Sequence, residues 1–186
     1  PPQNRYYVET KMGMDQLTEI DRKKLDCLLE LCNGFVIPGG TYWYEFDEYI
    51  IKHAIEKDKP LLAICLGFQA LCSMFAEERT KFDMTTRIAN NDHYGDSNKY
   101  IHNIKIIDNT LLENILKTPE INVNSVHHDI VDFKLKSLKI SAVSSDNIIE
   151  AVELSEKKFI LGVQWHPEYL VDENSKKIRQ AFINML

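Results

Sequence analysis

Long apolar runs, a surplus of positive charge and closely paired cysteines are all absent from this 186-residue sequence. Its apolar runs fall far short of the roughly 20 residues that cross a bilayer, so no transmembrane helix is expected. Lys and Arg number 22 against 28 Asp and Glu, a formal net charge of −6. This balance argues against a surface that binds nucleic acid or an anionic membrane.

The four cysteines, at positions 27, 32, 65 and 72, include no Cys-x-x-Cys pair. A disulfide framework is therefore not expected, and a reducing cytoplasm is the compartment that fits best. The adjacent His127 and His128 do not make a metal site by themselves, because a structural zinc needs four ligands at workable spacing. We expect the sequence to supply no such set, and we expect no metal or organic cofactor.

The first half of the chain alternates helices with short apolar strands. Leu25, Leu28, Leu29 and Cys32 form one apolar face of a helix over residues 21–33. Strands are predicted at 34–38 and 61–64, and helices at 45–58 and directly after Cys65. This alternation predicts an α/β fold with a mostly parallel central sheet and flanking helices, in a single domain over residues 1–186.

The second half differs, since strands there follow one another with few helices between them. They are predicted at 101–107, 121–126, 138–143, 147–153 and 159–165, with helices near 110–117 and 173–185. This order predicts an antiparallel or mixed part of the sheet.

Cys65 lies between a predicted strand and a predicted helix, with the small residues Ala63 and Gly67 two positions to either side. This pattern resembles the sharp turn written G-x-S-x-G, which presents a nucleophile at the top of a sheet. A cysteine there would lie at a helix N-terminus, which favours the thiolate. The alternative is a buried structural cysteine at a strand end.

His166, Pro167 and Glu168 follow the last predicted strand. Proline biases His166 toward an extended conformation, in which residues i and i+2 project to the same side. A carboxylate beside an imidazole fixes its tautomer and orientation, as in a catalytic triad. Taken alone, the three residues also fit a surface turn.

Pro38, Gly39 and Gly40 end the preceding strand, where α/β sheets bind ligands. The glycines would let backbone N–H groups face a ligand as an oxyanion hole requires, with the N–H of Leu66 as the second donor. Most such runs are simple turns.

Taken in order, P-G-G, A-I-C-L-G-F-Q, V-N-S-V-H-H-D and G-V-Q-W-H-P-E resemble a class I glutamine amidotransferase domain with a flavodoxin-like, three-layer fold. Val123–Asp129 and Tyr100–His102 resemble the γ-glutamyl hydrolase branch, peptidase family C26, especially its γ-glutamyl-γ-aminobutyrate hydrolases. The resemblance implies a Cys-His-Glu triad that hydrolyses a γ-glutamyl amide through a thioester.

Carried over by position, the resemblance makes Cys65 the nucleophile, His166 the general base and acid, and Glu168 the orienting carboxylate. Gly40 and Leu66 would supply the oxyanion N–H groups. The residues implied to bind the substrate are Gly39, Gln69, Ser125, His127 and His128. Gln69 also fits a residue that caps a neighbouring loop, and the two histidines also fit packing at a strand end.

Leu66 departs from the hydrolase branch, which often has arginine there, and resembles the synthase-coupled amidotransferases. Three functions therefore stay open: a freestanding γ-glutamyl hydrolase, a glutaminase that supplies ammonia to a synthase subunit, and a non-catalytic binding module. A homo-oligomer also stays open, while nucleic acid and membrane partners are not expected.

The implied fold begins with a strand–helix–strand unit that we do not find after Pro1. The first residues resemble the loop that follows its second strand. We therefore expect a longer natural protein whose N-terminal part is missing here.

Overall fold

The structure is a computed structural model that describes residues 17–41, 44–77, 86–87 and 93–186. The interpretation of the first residues as a loop falls outside these ranges. Among the helices of the described ranges, none is long and apolar enough to cross a membrane.

The predicted alternation of elements is confirmed over the described residues. The helices are α1 (Glu19–Leu31), α2 (Glu45–Glu56), α3 (Leu66–Met74), α4 (Leu111–Leu116) and α5 (Glu173–Ile183). The strands are β1 (Phe35–Ile37), β2 (Leu61–Ile64), β3 (Thr86–Arg87), β4 (His102–Ile106), β5 (Glu120–Val123), β6 (Asp129–Ile130), β7 (Lys139–Ser144), β8 (Ile149–Glu153) and β9 (Ile160–Val163).

Seven strands form one sheet in the order β1-β2-β9-β8-β7-β4-β5, and β3 pairs with β6 in a separate ribbon. The α/β class is confirmed, and the described sheet is mixed: a parallel part that contains β1 and β2 adjoins the antiparallel part that was predicted for the second half. Only β1, β2 and β9 run parallel to one another, whereas every later pairing in the sheet is antiparallel. The connection from β7 to β8 is a short turn, which can join only antiparallel neighbours.

The sheet is covered by helices on both faces, so the expected three layers are present. Leu61 and Ala63 of β2 pack in one core with residues of α2 and α3. Leu62 and Ile64 point to the other face and pack with residues of α4 and α5. Burial on both faces explains why the strand sequence L-L-A-I is apolar throughout.

Helix α1 begins with a capping box, in which Thr18 Oγ1 accepts the N–H of Asp21 and the Asp21 carboxylate accepts the N–H of Thr18. Its predicted apolar face is only partly correct. Leu29 is buried and Leu25 packs against the core, but Leu28 and Cys32 are exposed. The core of the described residues therefore covers only one side of this predicted apolar face.

Candidate active site

Three segments that carry the sequence motifs meet at the carboxyl ends of neighbouring parallel strands. Residues 38–40 follow β1, Cys65 follows β2 and His166 follows β9 by three positions. The register pairs Ile37 with Ala63 and Ile64 with Val163, so the three strands end at the same edge of the sheet. This is the edge at which open α/β sheets bind ligands.

Cys65 adopts a strained backbone conformation at the start of α3. Its φ is 51° and its ψ is −105°, a region that non-glycine residues rarely occupy. Such strain costs about 1–3 kcal/mol and persists only where the surroundings impose it. One constraint is the hydrogen bond that the Cys65 N–H donates to Val163 O at 2.8 Å.

Gly67 allows the first turn of α3 to approach β1 closely. A Cβ atom at this position would lie 2.4 Å from Ile37 O and 2.8 Å from Ile37 Cγ2. Because a backbone oxygen cannot move aside easily, a larger residue would push α3 and Cys65 away from the sheet. The small residue of the elbow motif is therefore explained by packing.

His166 lies between Cys65 and Glu168. Its Nδ1 is 2.7 Å from Glu168 Oε1, which leaves Nε2 as the nitrogen that can take the thiol proton. Burial disfavours the imidazolium, but hydrogen bonds and charge from Cys65 and Glu168 outweigh burial and raise the pKa of His166 to about 9. The arrangement can hold a proton on His166 over the whole neutral range.

The two glycines after β1 lie against these residues. A Cβ atom on Gly39 would lie 2.6 Å from His166 Cε1 and 3.3 Å from Cys65 Cβ. The same atom on Gly40 would meet only Leu66 Cδ2, at 3.6 Å. Since Leu66 begins α3, its N–H has no acceptor within the helix and can face a ligand. The structure thus brings Gly39, Gly40, Cys65 and Leu66 together.

Asn124 fixes the backbone of His166, a role for which the sequence analysis had no signal. Its Oδ1 accepts the His166 N–H at 2.9 Å, and its Nδ2 donates to His166 O at 2.9 Å. The same Nδ2 also donates to Ser97 O at 2.5 Å. Asn124 is fully buried, so its amide group depends on these protein partners rather than on water.

Arg179 of α5 holds the turn that carries Glu168. Its guanidinium donates to Leu170 O at 2.9 Å and to Pro167 O. These bonds join the last described helix to residues twelve and nine positions upstream of Arg179, and a sequence pattern cannot show such contacts.

Gln69 and Ser125 are buried next to the site and already have protein partners. Gln69 Nε2 donates to Asp129 O and to Gln164 Oε1, both at 3.1 Å. Ser125 Oγ donates to His93 O at 2.7 Å. For Gln69 this is the loop-capping alternative that the sequence left open, and contact with a substrate stays a prediction for both residues.

The adjacent histidines point to different surroundings. His128 stacks on Tyr94 with the ring centroids 4.2 Å apart. His127 is buried, and its Nδ1 is 3.0 Å from Asp129 O. A role of either residue in substrate binding stays a prediction.

His127 also belongs to a cluster that the sequence analysis missed. One ligand atom from each of His93, His102, His127 and Glu150 lies within 4.8 Å of all the others. The expectation that the sequence supplies no four-ligand set is therefore wrong. These residues are scattered over 58 positions of the chain without a metal-binding spacing, so only the fold could reveal them.

The remaining cysteines have other environments. Cys72 is fully buried, which raises the pKa of its thiol well above its usual value, while Cys27 and Cys32 are exposed. All four cysteines are free thiols, consistent with the expectation of no disulfide framework.

A model of the peptidase C26 family matches residues 44–168. A glutamine amidotransferase-like protein of Rickettsia prowazekii is 30% identical, with 86% of this chain aligned to 79% of that protein. A CTP synthase of Thermosipho africanus is 27% identical, with 83% of this chain aligned to 35% of that enzyme. The chain therefore spans from about a third to four fifths of the length of these relatives.

Among solved structures, the glutaminase domain of Trypanosoma brucei CTPS, determined with bound acivicin, superposes with a TM-score of 0.66. The match covers 98% of this chain and 84% of that domain at 18% sequence identity. A likeness at this identity establishes the class I glutamine amidotransferase fold.

Proposed function

Because the chain belongs to the peptidase C26 family, we propose that it hydrolyses the γ-glutamyl amide bond of glutamine or a γ-glutamyl amine through a thioester on Cys65. The observation that carries this proposal is the strained Cys65 at a helix N-terminus, which lies with His166 against Gly39, and the bond of His166 Nδ1 to Glu168 at 2.7 Å. Nucleophile, base and orienting group are thus in contact, as covalent catalysis requires.

In the first half of the reaction the Cys65 proton already resides on His166 Nε2, and the Sγ thiolate attacks the γ-carbonyl carbon. The resulting oxyanion accepts hydrogen bonds from the N–H groups of Gly40 and Leu66. The tetrahedral intermediate collapses when His166 donates its proton to the departing amine nitrogen, which breaks the C–N bond. The products of this half are a free amine and a γ-glutamyl thioester.

In the second half His166, now neutral, takes a proton from water as the water oxygen attacks the thioester carbonyl. The C–S bond breaks, the free carboxyl group of glutamate forms, and the proton on His166 returns the pair to its starting state. Glu168 keeps Nδ1 protonated throughout and stabilises the imidazolium.

The glutamyl head group is proposed to lie beside Gly39, Gln69, Ser125, His127 and His128. Because Gln69 and Ser125 already use their side-chain donors within the protein, their support would come from holding the walls of the pocket. The ring of His127 is likewise engaged, because its Nδ1 lies 3.0 Å from Asp129 O, so a contact with the substrate would involve the backbone of His127.

A second candidate is a glutaminase that supplies ammonia to a synthase subunit in the cytoplasm. It is favoured by the alignment with a CTP synthase and by the solved glutaminase domain. Leu66, which resembles the synthase-coupled enzymes, points the same way. This candidate shares the whole mechanism and differs only in the amine released and in its partner.

Glutamate release by the full-length protein separates the candidates. The substrates are glutamine and a panel of γ-glutamyl amines, each tested with the wild type and with Cys65→Ala. Release that favours a substituted amine identifies a freestanding hydrolase, and weak release from glutamine alone identifies the synthase-coupled form. Full activity of Cys65→Ala would contradict both.

A further inference from the structure

The side chains of His93, His102, His127 and Glu150, here called the His3Glu cluster, take no part in the bond-forming and bond-breaking steps proposed above. His102 is on β4, Glu150 on β8, and His127 follows β5. The side chains of His93 and His127 are 2% exposed and that of Glu150 is 0% exposed. A carboxylate so deeply buried needs a cationic partner.

Each imidazole of the His3Glu cluster uses its outer nitrogen on a hydrogen-bond acceptor of the protein. The acceptors are Asp146 for His93 at 3.2 Å, the Asp129 carbonyl for His127 at 3.0 Å and the Asn103 carbonyl for His102 at 3.4 Å. In a neutral imidazole an acceptor holds the proton on the nitrogen that faces it, so the inner nitrogen of such a ring carries a lone pair. This outer arrangement is typical of histidines that bind metals.

The inner atoms face one another without making hydrogen bonds. His93 Nδ1, His102 Nε2 and His127 Nε2 lie 3.1, 3.6 and 3.8 Å from Glu150 Oε1. Among the residues that the structure describes, none of these atoms, and neither oxygen of Glu150, has a hydrogen-bond partner. At 3.1 Å the pair of His93 and Glu150 is close enough for a hydrogen bond but lacks the alignment.

We propose that the His3Glu cluster binds one zinc ion in a closed, structural site. Zinc bonds of about 2.0–2.1 Å to nitrogen or oxygen imply tetrahedral edges of about 3.3–3.4 Å between ligand atoms. The three distances to Glu150 Oε1 bracket this edge, and all pairs of ligand atoms lie within 4.8 Å of one another, so no pair has to close by more than about 1.5 Å to complete the tetrahedron. Four protein ligands leave no open position, which distinguishes the site from a catalytic zinc centre.

Charge favours the metal over a proton. One proton could join only one imidazole to Glu150 at a time and would leave the other inner nitrogens without a partner. A divalent ion engages all four groups at once, and the carboxylates of Glu150 and Asp146 together balance its charge.

The position of the site indicates what the ion would stabilise. The His93 carbonyl accepts hydrogen bonds from Ser125 Oγ and from the His127 N–H at 2.7 and 3.0 Å. The metal would thus join the 93–97 loop to the 124–129 segment. That segment carries Asn124, which fixes the backbone of His166.

The test is the metal content of the full-length protein, expressed in zinc-supplemented medium and measured by elemental mass spectrometry. We expect about one zinc per chain and a thermal midpoint that falls when a chelator is added and recovers with zinc, because a ligand bound only by the folded state stabilises it. Replacement by Co²⁺ should produce the visible absorption bands of a tetrahedral site. None of these readouts depends on the proposed hydrolase activity.

Variants test whether zinc binds at the His3Glu cluster rather than elsewhere on the protein. Glu150→Gln and His102→Gln should lose zinc and its effect on the thermal midpoint, and Asp146→Asn should bind about 10–100-fold more weakly. His53→Gln is the matched control, since His53 is also buried, its Nε2 has no partner within the described ranges, and it lies on α2 outside the cluster. If Glu150→Gln does not fold, the zinc content of the wild type and the zinc affinity of the milder Asp146→Asn variant decide whether the cluster binds zinc. Wild type without zinc and without a chelator effect, or equal zinc in Glu150→Gln and His102→Gln, would overturn the proposal.

Discussion

Replacing Gly39 by alanine puts a methyl group between the nucleophile and its base. The added Cβ atom would lie 2.6 Å from His166 Cε1, while ordinary contact begins at 3.4 Å, so the imidazole must move by about 0.8 Å. The movement is resisted because Asn124 fixes the backbone of His166 and Glu168 holds the ring. Strain of this kind costs roughly 1–3 kcal/mol in stability.

A displacement of about 1 Å between reacting groups can reduce the rate about 100-fold. We therefore expect kcat for glutamate release to fall by about 10–100-fold in Gly39→Ala, in a protein that still folds. Steady-state kinetics together with the thermal midpoint separate misalignment from unfolding.

The matched control is the neighbouring Gly40→Ala. Its methyl group would meet only Leu66 Cδ2 at 3.6 Å, and the variant keeps the N–H proposed for the oxyanion. We expect a clearly smaller loss of kcat than in Gly39→Ala. Equal losses in both variants, or full activity of Gly39→Ala, would refute the proposed contact of Gly39 with the reacting pair.

Two further predictions concern the groups around His166. The pKa of His166 is raised from 6.5 to about 9, and the protonated ring is the acid for the leaving amine, so kcat/KM should hold below pH 9 and fall as the pH rises through about 9. Glu168→Gln removes one of the two partners that raise this pKa, so the fall of kcat/KM at alkaline pH should begin at a lower pH. If the fall does not shift, a group other than His166 causes it. Asn124→Ala leaves the buried N–H of His166 unpaired, at roughly 1–3 kcal/mol, and leaves the His166 carbonyl with only the longer bond from the Tyr169 N–H at 3.3 Å, so it should lower both the free energy of unfolding in urea and kcat. Asn122→Ala, at an exposed position of β5, is the control and should change stability by no more than about 0.5 kcal/mol. Equal effects of the two variants would contradict the role of Asn124 in holding the backbone of His166.

The strands and the motif at Cys65 could be predicted because their signals are local. The apolar run of residues 61–64 is buried on both faces, and the small Gly67 is required by contact with β1. His166 and Glu168 are two positions apart, so their contact follows from extended backbone. These features depend on only a few neighbouring residues.

The rest depends on contacts between distant segments. The hydrogen bonds of Asn124 and Arg179 join positions that carry no shared motif. The His3Glu cluster likewise combines four separate segments. The antiparallel part of the sheet was predicted from the run of strands in the second half, but the order in which these strands pair depends on contacts between distant segments.

The most direct test of the central claim is to trap the acyl-enzyme. The full-length protein is mixed with a γ-glutamyl substrate, quenched in acid and digested, and the peptides are analysed by mass spectrometry. The account predicts a γ-glutamyl adduct on the peptide that contains Cys65, and none on the buried Cys72 or in Cys65→Ala, which should release no glutamate. Glutamate release by Cys65→Ala, or an adduct confined to another residue, would contradict it.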